Sequence, residues 1–423
     1  MRFDKKILYF IIYWVIYSGL ISIYLFRNEF INLIADLGLI CLLLRGSSFK
    51  LKNIKKCLGS YIPLFFFLFL FIGSISALIN LVPLPSYLWV IHFYIRYWLL
   101  LICIYNSFNY NDVIKTKNIF YNASLINIFL CLIQVLMGVR GDPLGGTFAL
   151  GNSEIALLIM IMTIMGSCDY FKGNIKRNKA LYLLIGFFFI AIVGEIKFLY
   201  FMIPLYISMS YLLIKRFSVR LIIILGIAAI SFKPVMKSIL SLYYDENYIE
   251  FVFNAEEIDE HLHKAHVATS ERGMNRATSI EIVSTYILQD IQDILIGNGI
   301  GSGSASSIFS SKIYKEYHDT NYYNFTPAYL LVETGWLGSI CYYLVYVAMF
   351  VFFCNKYRKN KDKEIKYWSS CGLLGTAMTG MFIWYNVLPI YTYYVFFFFF
   401  AICFVSIKER NKFLLKQKNN IQW

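Results

Sequence analysis

Charge is scarce in this chain: Asp, Glu, Lys and Arg make up 15% of its 423 residues, against 59% hydrophobic and 19% aromatic. A soluble domain carries roughly a quarter charged residues, so an ordinary soluble globular protein is excluded. The scarcer sign is negative, with 25 acidic residues against 39 basic ones and a net charge of +14. That excess alone would fit a nucleic-acid partner, but its placement argues against one, as shown below. Cysteine is missing from residues 244–326, the longest polar stretch, so no disulfide framework supports it. No cysteine accompanies His261, His263 and His266 either, and Lys264 intervenes. The trio is therefore read as solvated, with no metal expected. The glycines Gly299, Gly301 and Gly303 follow no strand and lack the lysine of a phosphate-binding loop, which argues against a nucleotide. No repeat recurs at a fixed period. After Met1-Arg-Phe-Asp-Lys-Lys6 there is no small-residue cleavage site, so no cleavable signal peptide is expected.

What is present is a series of apolar runs near the length that crosses a bilayer. They lie at about residues 7–25, 29–44, 61–82, 87–106, 119–138, 154–170, 180–194, 198–214, 221–242, 327–354, 368–388 and 390–407. The expected fold is an all-α, polytopic integral membrane protein of about twelve transmembrane helices. Its parts are nine helices in 1–243, a large outer loop of short helices in 244–326, and three helices with a basic tail in 327–423. An even count puts both termini on the cytoplasmic side. Residues 1–6, 45–58, 107–117, 171–179, 215–220, 355–366 and 408–423 then all fall inside, and they hold 28 of the 39 basic residues. That is the positive-inside pattern, not a nucleic-acid face. The seventh and eighth runs are short and are joined by Gly194-Glu-Ile-Lys197, which fits tilted spans or a polar turn below the outer surface.

The insert divides in three. Residues 244–266 are acidic and irregular. Over 277–296, Ile280, Val283, Ile287, Ile291 and Leu295 recur at helical spacing, which predicts one amphipathic helix. The string Gly297-Asn-Gly-Ile-Gly-Ser-Gly303 ends it, and 302–311 reads as loop. The insert is too short for a large core, so it is expected to pack on the outer ends of the spans. Ionisable residues inside spans are functional candidates. They are His92 and Arg96 one turn apart in the fourth span, Glu195 and Lys197 at the short turn, and Glu333 near the start of the tenth. Glu195 and Lys197 have a structural alternative as a snorkelling interfacial pair, and Arg96 as a structural pair in the bundle. Arg140 begins an outer loop, Arg140-Gly-Asp-Pro-Leu-Gly-Gly-Thr-Phe-Ala-Leu-Gly-Asn152, which presents a cation or serves only as a turn-rich connection. His318, beside Asp319, is a candidate base because imidazole titrates near neutral pH.

In order and topology these pieces resemble the superfamily of O-antigen polymerases and O-antigen ligases, bacterial envelope glycosyltransferases with a large late periplasmic loop. Arg276, the amphipathic run and Gly297-Asn-Gly299-Ile-Gly301 fit that loop's pattern, with Arg272 as a rival for the arginine. Glu333-Thr-Gly335-Trp-Leu-Gly338 fits the family's Glu-x-Gly-x-x-Gly, the Arg140 loop with Gly146-Thr-Phe148 fits an earlier one, and Lys197 stands where a basic residue is frequent. The resemblance covers about residues 119–345. Ligases carry His-Asn eleven residues before the first glycine of that motif; here the place is Asn324-Phe325, which favours a polymerase. The resemblance implies joining of oligosaccharide units carried on undecaprenyl pyrophosphate at the periplasmic face of the bacterial inner membrane, with no cofactor. With that chemistry, the candidates for catalysis are Arg276, Arg272, His318 and Glu333, and those for the pyrophosphate are Arg140, Lys197, Arg96 and Arg276. Its partners would be the lipid-linked oligosaccharides, membrane lipid and a chain-length regulator protein, with no nucleic acid. A lipid-linked oligosaccharide flippase and an O-antigen ligase are the alternatives. The length of the insert and the absence of a repeat between halves weigh against the flippase.

Overall fold

A computed structural model describes residues 2–24, 33–46, 54–148, 151–215, 274–304, 310–385 and 388–421, with Pro234, Lys237, Ser238, Ser241 and Asn254. Apart from those few residues, the ninth apolar run and 244–273, including Arg272, His261, His263 and His266, lie outside the described residues. The described elements are helical throughout. In order they are α1 (Arg2–Tyr24), α2 (Leu33–Arg45), α3 (Ile54–Leu58), α4 (Tyr61–Ile79), α5 (Leu84–Ser107), α6 (Tyr110–Leu136), α7 (Asn152–Lys172), α8 (Arg177–Val193) and α9 (Lys197–Ile214). The insert contributes α10 (Ser279–Ile282), α11 (Ile291–Ile296) and α12 (Lys312–Tyr317). After it come α13 (Thr326–Lys359), α14 (Lys363–Tyr385), α15 (Leu388–Tyr391) and α16 (Tyr394–Ile421). Apart from the ninth, each expected run overlaps a helix, but the twelfth is divided between α15 and α16, and the second meets a helix of only 13 residues. Six of these, α4, α5, α6, α7, α9 and α13, are long and apolar enough to cross a membrane. The chain is thus an all-helical, membrane-embedded protein. In lipid the backbone must satisfy itself, which is why apolar runs of this length become helices.

Local signals set the helix ends. At α6, Asn109 and Asp112 form a reciprocal capping box, the side chain of each accepting the other's backbone N–H at 3.1 and 2.9 Å. Ser311 caps α12 by accepting the Tyr314 N–H at 3.1 Å. Pro327 stands in the first turn of α13, where its missing N–H costs nothing. The interior is built by α13 packed on α4 and α14, α16 on α5 and α14, and α7 on α9. Residues 396–400 of α16, five consecutive phenylalanines near its start, are all buried.

Two departures from the sequence expectation bear on the site. Residues 277–296 do not form one helix. After α10 the chain widens into a π-turn over Val283–Ile287, Leu288 leaves helical geometry, and α11 begins anew behind Asp290. Val283, Ile287 and Leu288 are buried, whereas Ile291 is 78% and Leu295 45% exposed. The apolar stripe is therefore split between two directions. The second departure is a break within α13 at Gly335, whose φ of 57° and ψ of −166° are non-helical. The hydropathy of the tenth run continues through that break, so an unbroken span was expected there.

The bundle has two distinct ends. At one, ion pairs link Lys5 with Asp112, Arg45 with Asp4 at 3.1 Å, Lys117 with Asp169 at 2.6 Å, Lys172 with Glu364 at 2.5 Å and Arg410 with Asp362 at 2.8 Å. Lys408 donates to the Tyr105 carbonyl at 2.5 Å, tying α16 to the end of α5. Asp169 is fully buried and also accepts from the Tyr121 and Tyr367 hydroxyls, each at 2.7 Å. The segments expected on one side of the membrane thus assemble together. At the other end lie the glycine string, the Arg140 loop and the 194–197 turn.

Candidate functional site

The described part of the insert begins at Met274, whose N–H donates to the Thr320 carbonyl at 3.1 Å. That bond brings Arg276 and His318 into one corner, since each lies two residues from it. Asn275 is buried and its Oδ1 accepts from the backbone of Ala277 and Thr278, both at 3.0 Å, closing a side-chain-capped turn around Arg276. The Ser279 hydroxyl donates to the Arg276 carbonyl at 3.2 Å. Arg276 is half-buried on this fixed backbone, and His318 is exposed, with Nδ1 3.2 Å from the Lys315 carbonyl. Nearby in sequence, burial and then the neighbouring Asp290 push the Asp293 carboxyl up from its usual value.

The glycine string does not hang as a loop. It is sewn to the membrane helices through its backbone. The carbonyls of Val332 and Glu333, just before the break in α13, accept from Asn298 at 2.8 Å and Gly299 at 2.9 Å. Carbonyls at a helix end need partners, and the insert supplies them. Ile300 donates to the Gly73 carbonyl at 3.2 Å, while Ser76 Oγ and Asn80 Nδ2 donate to the Gly297 carbonyl at 2.5 and 3.3 Å. Gly297 (φ 71°) and Gly335 (φ 57°) face each other so closely that a Cβ on either would collide with the other's backbone. Only glycine fits both the left-handed backbone and the approach. The two glycine motifs, 38 positions apart in sequence, thus form one interlock.

Glu333 sits inside that interlock and is fully buried. Its Oε1 accepts the Gly301 N–H and its Oε2 the Tyr94 hydroxyl, each at 3.0 Å. The carboxylate faces backbone and a buried phenol, so the geometry fits a positioning group for the string better than a base that meets a sugar hydroxyl.

Arg140 and Lys197 share a second corner. Gly141 donates to the Val193 carbonyl at 3.0 Å and Asn152 Nδ2 to the Gly194 carbonyl at 2.8 Å, so the loop clasps the turn between α8 and α9. The loop's other flank is fixed to α6, where Asn127 Oδ1 accepts the Thr147 N–H at 2.8 Å and Gln134 Oε1 the Gly146 N–H at 3.0 Å. Arg140 stands exposed, Lys197 half-buried, and Glu195 adopts a left-handed φ of 54° in the turn.

Arg96 belongs to neither corner. Its guanidinium donates to Asp36 at 2.8 Å, to the Tyr97 hydroxyl at 2.9 Å and to the Tyr391 carbonyl, and lies over the Phe93, Tyr97 and Tyr394 rings. Tyr394 also bonds Asp36, and His92 Nε2 lies 3.8 Å from it. This arrangement ties α2, α5 and the α15–α16 turn together and leaves only Nε without a partner. Sequence reasoning missed Asp36, although a lone carboxylate in an apolar run is itself a signal. It also missed Tyr94, Ser76 and Asn80, which nothing in the sequence distinguishes from their neighbours.

Among the described residues no group of His, Cys, Asp and Glu is arranged to hold a metal ion. Compared with protein-family models the chain matches none, and no curated protein matches it.

Proposed function

We propose that the chain is an O-antigen polymerase of the bacterial inner membrane, with twelve spans, cytoplasmic termini and the 244–326 insert in the periplasm. The observation that carries this reading is the interlock. The two glycine motifs on which the resemblance rests meet in space, and the chain they fix runs back to the corner holding Arg276 and His318. The clustering of basic segments at one end of the bundle supports the sidedness.

In this reading the donor is a chain on undecaprenyl pyrophosphate and the acceptor a lipid-linked repeat unit. An acceptor hydroxyl attacks the anomeric carbon. The new C–O bond forms as the bond to pyrophosphate breaks, and the hydroxyl proton passes to a base. Charge develops on the departing pyrophosphate, so catalysis needs cations that meet it there. Arg276, Arg140 and Lys197 are assigned that work, with Arg272 as the rival of Arg276. Arginine suits it because its fork matches phosphate oxygens. His318, exposed two residues before the Thr320 carbonyl that anchors this turn, is assigned the proton. Glu333 and Arg96 are assigned to positioning, one for the string and one for the helices. The pyrophosphate is already an activated leaving group, so no nucleotide enters. The partners are the lipid-linked oligosaccharides, membrane lipid and a chain-length regulator.

The test is a clean deletion, complemented in trans, scored on lipopolysaccharide gels. The expected result is lipid A core bearing a single repeat unit and no longer chains. A core with none would point to the flippase or the ligase instead and would overturn this reading.

A further inference from the structure

We propose that the chain holds one anionic glycerophospholipid between α7, α8 and α9, at the end of the bundle opposite the glycine string. A cavity of about 170 Å³ lies there, lined mainly by apolar side chains, among them Met162, Leu184, Phe187 and Ile207. Apolar cavities of this size stay dry and accept hydrocarbon. Two of the three helices, α7 and α9, are long and apolar enough to cross a membrane, so the surrounding medium supplies acyl chains. The mouth carries the opposite chemistry. Arg177 lines it, is exposed, and forms no ion pair among the described residues. Lys176 and Lys179 flank it and are exposed as well. Lys179 lies over the Tyr121 ring, 4.2 Å from its centroid, so Arg177 is the cation offered to a ligand; an apolar interior under it selects an amphiphile with an anionic head, and the guanidinium fork fits a phosphodiester. Basic residues beside a membrane helix attract anionic lipid in the same way. One acyl chain fills the groove and the phosphate meets Arg177. The inference rests on the membrane embedding alone and is independent of the polymerase reading.

Gly166 gives a way to close the groove. It lines the cavity, and a Cβ there would have only the Tyr121 hydroxyl for a neighbour, 4.0 Å away. A leucine would therefore grow into open space while improving helix propensity. The experiment uses full-length protein in non-ionic detergent, doped with equal amounts of phosphatidylglycerol and phosphatidylcholine, with retained lipid read by native mass spectrometry. One phosphatidylglycerol per chain should survive detergent stripping. Arg177→Glu and Gly166→Leu should each lower that species about tenfold, while Lys359→Glu, at another basic segment, should leave it unchanged. Equal retention of the two lipids would overturn the proposal. So would undiminished retention in Arg177→Glu, whose exposed position keeps that variant informative even if Gly166→Leu folds poorly. Preferential retention of undecaprenyl phosphate over phosphatidylglycerol in a competition would overturn it too.

Discussion

The two ends of the bundle are held by different physics. At the basic end, long side chains reach across helices: Lys117 to Asp169, Lys172 to Glu364, Arg410 to Asp362. At the other end the glycine string is held mainly through backbone, its N–H groups meeting carbonyls of α4 and α13. Side-chain pairs can yield, because a lysine or arginine re-routes through its rotamers and water can replace it. The interlock has less room to yield, because most of its bonds join main chain to main chain, and the side chains that complete them, Ser76, Asn80 and Glu333, are short or buried. The end assigned to chemistry is therefore the one built with the least freedom, as expected where a cation must meet a developing charge in fixed geometry.

The largest effect should come from breaking the interlock. Gly335→Ala combines a backbone region that side chains avoid with a Cβ placed 2.5 Å from the Gly297 nitrogen. Strain and overpacking together should cost about 3 kcal/mol or more. The expected outcome is rapid protease cleavage within 274–325 in spheroplasts and loss of long chains. Gly173→Ala sharpens the comparison. That glycine also has a positive φ, 87°, but a Cβ there would meet nothing within 4 Å. It should cost only about 1 kcal/mol and leave the insert protected. Equal sensitivity of the two variants would show that conformation alone, and not the close approach, governs the insert.

Next in size is Asp169→Ala at the basic end. It strands the Lys117 ammonium, 16% exposed, together with two tyrosine hydroxyls. Removing one partner of a buried pair costs about 3–5 kcal/mol in soluble proteins, and the nearby aqueous face should bring this to the lower part of that range. Thermal unfolding in detergent should shift down by several degrees while the insert of the surviving folded protein stays protected. Accelerated cleavage in 274–325 would show that the two ends are coupled.

These contrasts mark what was legible in the sequence. Apolar runs placed the helices because length and hydropathy are local properties. The break at Gly335 was not legible as a break, since one glycine in an apolar run leaves hydropathy unchanged. The division of 277–296 escaped for a related reason. Ile280, Val283, Ile287, Ile291 and Leu295 keep helical spacing on paper, yet Leu288 turns out of the helix and resets the register. The Asp36–Arg96 pair joins residues 60 positions apart, and no periodicity reports such a partner. The glycine motifs were legible as motifs, but their meeting was not.

The smallest effect concerns Asp362. Its hydrogen bond from Arg410 is the main cause holding its carboxyl below the usual range. A depressed folded pKa contributes stability above the unfolded value of about 3.9 and loses it as pH falls through the folded value. Asp362→Asn should therefore lower stability by no more than about 1 kcal/mol at pH 7, and the difference from the native chain should vanish once the pH has fallen below the depressed folded value. A difference that persisted in acid would mean that Asp362 acts through packing instead.

The central claim is that Arg276, fixed by the Asn275 turn and the bond from Met274 to Thr320, meets the departing pyrophosphate. Its most direct test is chain length in the complemented deletion strain at matched membrane protein levels. Arg276→Ala should lower polymerisation about a hundredfold, the loss expected for one contact to developing charge, and collapse the ladder to single units. Arg276→Lys should give short chains, because it keeps the charge and loses the fork. A normal ladder from Arg276→Ala with a collapsed one from Arg272→Ala would move the role to Arg272. Normal ladders from both would contradict the claim.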